Sequence, residues 1–142
     1  MLHVYALRLL LALSAASLVA CGGNDDTPEP APEADVEPTL SDIQAKILTP
    51  TCATSKCHDG TSTDNSLNLS EGKTFAESIN IGSDNEVNDG IIVKPFEPEN
   101  SLLYTLLSGP KQNANKMPKS GSLSAKRKEA IRLWIANGAQ NN

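Results

Sequence analysis

The spacing of apolar residues predicts a helical protein. In three stretches beyond residue 38, apolar side chains recur three and four positions apart, which places them on one face of an α-helix. These positions are Leu40, Ile43 and Ile47 in the first stretch, Leu102, Leu103, Leu106 and Leu107 in the second, and Ile131, Trp134 and Ile135 in the third. We therefore expect an all-α fold in a single small domain, residues 39–142.

Capping residues and helix breakers predict where these helices begin and end. Ser41 and Gln44 have the spacing of a capping box, and Pro50 predicts the end of the first helix. The other expected boundaries are a cap at Asn100 or Ser101 and a stop at Gly109–Pro110 for the second helix, and Ser124 and Asn137–Gly138 for the last.

Two shorter elements are expected between the first and second helices. Residues 71–79 predict a short helix capped by Ser70, with Phe75 and Ile79 turned inward. The run Ile91–Val93 predicts a strand or an extended segment. The rest of this region is rich in Ser, Thr, Asn and Asp, which is typical of loops.

The first 20 residues have the character of an export signal. Arg8 is the only charged residue before Leu9–Ala20, an apolar stretch of about a dozen residues that is too short to span a bilayer, where roughly 20 are needed. The end of this stretch together with the next residue, Leu18–Cys21, resembles the lipobox of bacterial lipoproteins. The resemblance implies cleavage before Cys21 and lipidation of that residue, because several acyl chains make a stable anchor. The alternative is an ordinary signal peptide with a coincidental cysteine.

Residues 21–38 predict a disordered linker. They contain four prolines and six acidic residues but no basic residue. Proline stiffens such a segment and like charges extend it, so we expect a spacer between the membrane and the domain.

Charge is unevenly distributed within residues 39–142. Acidic and basic side chains balance there at 11 each, but seven of the basic residues follow residue 110, where Glu129 is the only acid. This asymmetry could steer a partner with an acidic surface, although a solvated helix face has the same composition. Nucleic acid is not an expected partner for an exported lipoprotein.

The candidate chemistry lies in Cys52–His58, where two cysteines four residues apart are followed at once by a histidine. A cysteine pair followed by histidine is the arrangement that attaches a c-type haem through thioether bonds, with the imidazole as the proximal iron ligand. The usual gap is two residues rather than four. In an oxidising compartment a free thiol pair would not be expected to persist.

Met117 is the second candidate ligand. Once the predicted leader is removed, it is the only methionine and His58 the only histidine. It lies in a polar stretch before Pro118, where a lone thioether has little core to fill. Met117 is therefore a candidate distal iron ligand opposite His58, as in electron-transfer cytochromes.

The order of these features resembles small class I-like cytochrome c domains, such as those of bacterial lipoproteins. The matching features are a helix before Cys52–His58, a long loop, the helix start Pro98–Leu103, Met117–Pro118, and a last helix containing Trp134. The likeness covers residues 39–139. It implies covalent haem c on Cys52 and Cys57, with His58 and Met117 as iron ligands. It also implies that Trp134 braces the last helix against the first.

The resemblance implies an electron carrier rather than an enzyme. The protein would transfer single electrons to or from a redox partner in the periplasm or at the cell surface, held to a bacterial membrane by the lipid on Cys21. The second ring nitrogen of His58 would donate its hydrogen to a backbone carbonyl, which we expect in the Lys94–Pro98 loop.

Two other interpretations of the same residues are open. Cys52 and Cys57 could form a small disulfide loop, which would leave a lipid-anchored binding or structural module without haem. A metal site is the other interpretation. Zinc requires four ligands, whereas the mature chain offers only three Cys and His side chains. Blue copper requires two histidines with a cysteine, and the mature chain has one histidine. No motif supports nucleophilic catalysis.

Overall fold

A computed structural model of the protein describes residues 34–61, 67–83, 90–108 and 116–142. The described part is helix-rich, with 45% of its residues in helices and 4% in isolated β-bridges. This content is consistent with the all-α prediction. The predicted signal peptide, Cys21, most of the predicted linker and the predicted stop at Gly109–Pro110 lie outside the described residues.

Helical segments follow one another along the described chain. Helix α1 (Leu40–Ile43) continues without a break as a π-helix (Gln44–Cys52). Next come α2 (Thr74–Ser78), a 3-10 turn (Pro98–Asn100), α3 (Leu102–Ser108) and α4 (Ala125–Ala136).

The core forms where α4 packs against α1 and α3. Ile131, Trp134 and Ile135 are at most 1% exposed, which confirms the predicted inward face of α4. The residues that the first helix buries completely are Ile43, Ile47 and Leu48. The boundaries of α4 are also confirmed, since the Ser124 hydroxyl caps it and Asn137 follows its last residue.

The start of the first helix differs from the predicted capping box. The cap is Thr39 and not Ser41, and its hydroxyl accepts from the N–H of Asp42 at 3.4 Å. The N–H groups of Leu40 and Ser41 donate to the side-chain and main-chain oxygens of Asn142, at 2.9 and 2.8 Å. Asn142 lies 102 positions from Leu40 along the chain, so no local sequence pattern could have predicted this contact.

The predicted end of the first helix at Pro50 is wrong. The helix passes through Pro50 and ends at Cys52, and its winding changes from α to π at Gln44, ahead of the proline. In an α-helix the proline ring would clash with the carbonyl four residues back. A π-helix spaces its hydrogen bonds five residues apart, and such turns are frequent at functional sites. Cys52 is therefore the last residue of a continuous helix.

Helix α2 is shorter than predicted and turns a different face inward. No side chain caps it, and Thr74 and Ser78 are its buried residues. Phe75, which was expected to face inward, is 36% exposed, whereas Ile79 packs against the core as expected. The Thr74 hydroxyl donates to the Gln44 side chain at 2.7 Å, and the Ser78 hydroxyl donates to the Thr74 carbonyl at 2.6 Å. Burial therefore leaves neither hydroxyl unsatisfied.

The apolar run Ile91–Val93 is extended, as predicted, but it forms isolated bridges. Val93 pairs with Ile79 in parallel, and Ile91 pairs with Gly82 in antiparallel. The second predicted helix begins as α3 after the 3-10 turn, and Leu102 is its buried residue. Among the described residues no longer strand is formed.

The close approach of Gly138, just after α4, to the ring of Phe96 can be tested by substitution. The φ of Gly138, +96°, lies in the left-handed region, and a side chain there would meet the ring of Phe96 at 2.8 Å. Gly121 has a φ of +71° but open space around it. Alanine costs about 1–2 kcal/mol in this backbone region at either position. Gly138→Ala should cost about 0.5–1.5 kcal/mol more than Gly121→Ala, because the ring must leave its rotamer.

Chemical denaturation of both variants measures this difference in the free energy of unfolding. Phe96→Ala supplies the control, since without the ring the extra cost of alanine at position 138 should shrink. A difference that is undiminished in the Phe96→Ala background would show that the ring is not its cause.

Candidate functional site

The π-helix positions the first cysteine of the motif. Cys52 is the last residue of that helix and packs, half-buried, against the core. The next residue extends the five-residue spacing, since the N–H of Ala53 donates to the carbonyl of Leu48 at 2.7 Å. Leu48 is itself fully buried. The Cys52 end of the motif is therefore held by the core.

A tight loop returns the chain from Cys52 to His58. The N–H of His58 donates to the carbonyl of Cys52 at 3.0 Å, and within this loop the N–H of Cys57 donates to the carbonyl of Thr54 at 2.9 Å. Lys56 takes a φ of 67°, which allows the sharp reversal. The four residues between the cysteines are thus accommodated in one hydrogen-bonded loop, with the Cys57 side chain exposed.

The two cysteines are not joined by a disulfide. Burial, and to a lesser extent the charge of Cys57, raises the pKa of the Cys52 thiol to about 11. At neutral pH Cys52 is therefore a protonated, poorly nucleophilic thiol.

His58 is held by a segment that the sequence did not suggest. Its Nδ1 lies 3.2 Å from the carbonyl oxygen of Leu67, and its own carbonyl accepts the N–H of Leu69 at 2.7 Å. The acceptor expected in the Lys94–Pro98 loop is therefore wrong, and Leu67 takes that role. Because a carbonyl can only accept, this contact places the hydrogen on Nδ1 and leaves the Nε2 lone pair for another ligand.

Met117 is positioned by a different element. Its N–H donates to the carbonyl of Leu106 in α3 at 3.2 Å, and its side chain is half-buried. The structure therefore gathers Cys52, Cys57 and His58 in one loop and anchors Met117 separately, next to α3. Within the described ranges, no three His, Cys, Asp or Glu side chains converge so as to hold a metal ion.

Two basic residues beyond Met117 already have acidic partners. Lys126 pairs with Asp35 at 3.1 Å, and Arg132 pairs with Glu129 at 2.8 Å. Lys126 and Asp35 are largely exposed, so their pair contributes little to stability and would yield readily to a competing acid. The Arg132–Glu129 pair is bidentate and is held more firmly. Part of the basic charge beyond Met117 is therefore neutralised within the domain.

Gln44, Thr74 and the segment Leu67–Ser70 were missed by sequence reasoning. Gln44 was assigned to a capping box, but its side chain is buried and points into the domain. A signal was available, because Gln44 lies four residues after Leu40 and three before Ile47, on the same helical face. A polar residue on an apolar face indicates a buried hydrogen-bonding role.

An open groove of about 280 Å³ lies elsewhere on the domain, and its lining contains none of the four candidate residues. It is formed by the N-terminal end of the first helix, the region around α2, and residues 141–142. Of the helices in the described part, none is both long and apolar enough to cross a membrane.

Comparisons of the chain with protein-family models, with curated proteins and with solved structures find no match. Function is therefore inferred from the residues and their geometry.

The environments of the two thiols predict different reactivities. In the reduced, haem-free chain, Cys57 should react with iodoacetamide at least about tenfold faster than Cys52. Burial shields Cys52, and a pKa near 11 reduces its thiolate fraction about a hundredfold, which its greater intrinsic nucleophilicity only partly offsets. Timed quenching followed by mass spectrometry of the peptides measures both rates.

The same reaction in urea is the control, since unfolding should bring the two rates together. Equal rates in the folded chain would contradict the described placement of Cys52.

Proposed function

We propose that the protein is a membrane-tethered, monohaem c-type cytochrome that carries single electrons. The observation that carries this proposal is the orientation of His58. Its Nδ1 is engaged by the Leu67 carbonyl, so Nε2 is left for iron in a loop that also carries Cys52 and Cys57. A histidine that binds metal typically donates its other ring N–H to such an acceptor.

The donor set fits covalent attachment of a haem. Cys52 is fixed by the core and Cys57 is exposed on the same short loop, so the two thiols have distinct positions for two vinyl groups. The loop hydrogen bond between Cys52 and His58 keeps the imidazole beside the attachment points. When bound, haem c supplies an iron that alternates between ferrous and ferric states.

Met117 is the proposed distal ligand. Its thioether is half-buried, and its backbone is tied to α3 through the Leu106 carbonyl. Ligation by methionine raises the reduction potential relative to imidazole or thiolate, and it closes the sixth position to small ligands. Both effects suit a carrier rather than an enzyme.

The basic residues around and beyond Met117 give the carrier a surface for an acidic redox partner. Lys119 and Lys126 are exposed, and Lys126 forms an exposed pair with Asp35. A positive surface of this kind accelerates encounter with a negative one at low ionic strength.

The proposed tether runs from a lipid on Cys21 to the domain. The chain joins the domain close to Asp35, whose carbonyl accepts from the Lys46 ammonium at 2.7 Å, and Val36 packs against the core. Residues 21–33 would therefore connect the lipid to the domain at a bacterial membrane facing the periplasm or the cell exterior.

Met117→Ala tests the proposed electron carrier. The haem should stay attached, because the thioether bonds involve Cys52 and Cys57. The reduction potential should fall, and the ferrous iron should now bind carbon monoxide, because the sixth position is open. Optical spectra and a redox titration measure both changes.

Met117→His is the matched variant. It restores a sixth ligand, so carbon monoxide binding should be lost again while the potential stays low. If Met117→Ala keeps the spectrum and potential of the wild type, Met117 is not the ligand and the carrier assignment fails.

Cys21→Ser tests the tether. The wild-type protein should fractionate with membranes, and the variant should appear in the soluble fraction or keep its leader, because the lipid attachment point is gone. Cys57→Ser is the control and should remain with the membranes. A wild-type protein found soluble would reject the lipid anchor.

A further inference from the structure

A four-residue segment, Leu67–Ser70, connects His58 to the rest of the domain. Leu67 accepts from His58 Nδ1 at 3.2 Å, and Leu69 donates its N–H to the His58 carbonyl at 2.7 Å. Both the imidazole and the backbone of His58 therefore depend on where this segment lies. Leu69 is only 2% exposed, so it is buried as well as hydrogen-bonded.

Gln44 fixes this segment from the first helix. Its Nε2 donates to the Leu69 carbonyl at 2.9 Å and to the Thr49 hydroxyl at 3.0 Å, and its Oε1 accepts from the Thr74 hydroxyl at 2.7 Å. Both amide hydrogens and the amide oxygen are thus used. The side chain is 7% exposed, so water cannot readily replace these partners.

We propose that Gln44 is a positioning residue for His58, acting through Leu69 and Leu67. The inference rests on the proposed function, in which His58 is the proximal iron ligand. Without the Gln44 amide, Leu69 would lose its carbonyl partner, and the Leu67 carbonyl would be held against Nδ1 less firmly, although the Asn68 N–H of the same peptide group still donates to Glu77 Oε2 at 3.1 Å. The imidazole would then donate less electron density through Nε2, because a hydrogen bond at the outer nitrogen raises ligand basicity.

Ser101 provides a matched control, because its substitution should lower the stability of the domain without acting on His58. It is also buried, at 0% exposure, and its hydroxyl accepts from the Lys94 N–H at 2.8 Å and donates to the Glu97 carbonyl at 2.9 Å. Like Gln44, it fastens a loop to a helix through buried hydrogen bonds. Neither its hydroxyl nor the loop that it holds is hydrogen-bonded to His58 or to Leu67–Ser70 in the described contacts.

The experiment compares Gln44→Met with Ser101→Ala in the full chain with haem attached. In Gln44→Met, the Leu69 amide should exchange with solvent about tenfold faster or more, because a buried carbonyl is left without its donor. The reduction potential should rise, because ferric iron loses stabilisation from the imidazole. The nitrogen resonance of His58 Nδ1 in the haem-free chain should shift as its acceptor is released. Ser101→Ala should change none of these three readouts, although it also lowers stability.

The inference is overturned if Gln44→Met leaves the potential and the Leu69 exchange rate unchanged, or if Ser101→Ala changes them equally. If Gln44→Met does not fold, Thr74→Val replaces it, since this change removes the hydroxyl that donates to the Gln44 amide oxygen at 2.7 Å and lies 3.4 Å from the Ser70 carbonyl of the same segment. It should shift the same readouts in the same direction by a smaller amount, and no shift overturns the inference. A wild-type chain whose mass shows no haem rejects the proposed function itself, which separates that failure from the failure of Gln44 as a positioning residue.

Discussion

Burial of the first helix in the core that it shares with α4 is the constraint on which the site depends. Ile43, Ile47 and Leu48 are fully buried, and each contributes roughly 1.5–3 kcal/mol. Their sum outweighs the one backbone hydrogen bond, worth about 1 kcal/mol, that Pro50 cannot donate. The helix can therefore continue in the π form through the proline. As a result, the helix ends at Cys52, which packs against the core, and the loop to His58 begins at this anchored residue.

Polar contacts then determine the orientation of the groups that the core has placed. Gln44 in the first helix donates to the Leu69 carbonyl and accepts from the Thr74 hydroxyl of α2, and the N–H of Leu69 donates to the carbonyl of His58. Such a buried network tolerates few arrangements, because an unsatisfied member costs about 1–3 kcal/mol. The imidazole orientation is in this way coupled to residues far from it in sequence.

Sequence reasoning succeeded where the determinants were local. Helix α4 was predicted from its spacing and its Ser124 cap, since both act within a few residues. It failed where distant residues decide the outcome. The cap of the first helix involves Asn142, and the acceptor of His58 is Leu67, on a segment with loop composition. Phe75 was misassigned because apolar character was weighed above the hydrogen bonds that allow Thr74 to be buried instead. The candidate residues could be identified in the sequence from their scarcity and their order. Their geometry could be seen only in the folded structure.

The intact mass of the denatured chain, co-expressed with cytochrome c maturation machinery, tests the central claim most directly. Two thioether bonds, on Cys52 and Cys57, would keep one haem on the chain after denaturation, so the account predicts the mass of the chain plus one haem. Thioether bonds survive unfolding, whereas haem held by coordination alone would be lost. A haem-free chain two hydrogens lighter than the dithiol would contradict the account. Such a mass would identify a Cys52–Cys57 disulfide and therefore a lipid-anchored module without redox chemistry.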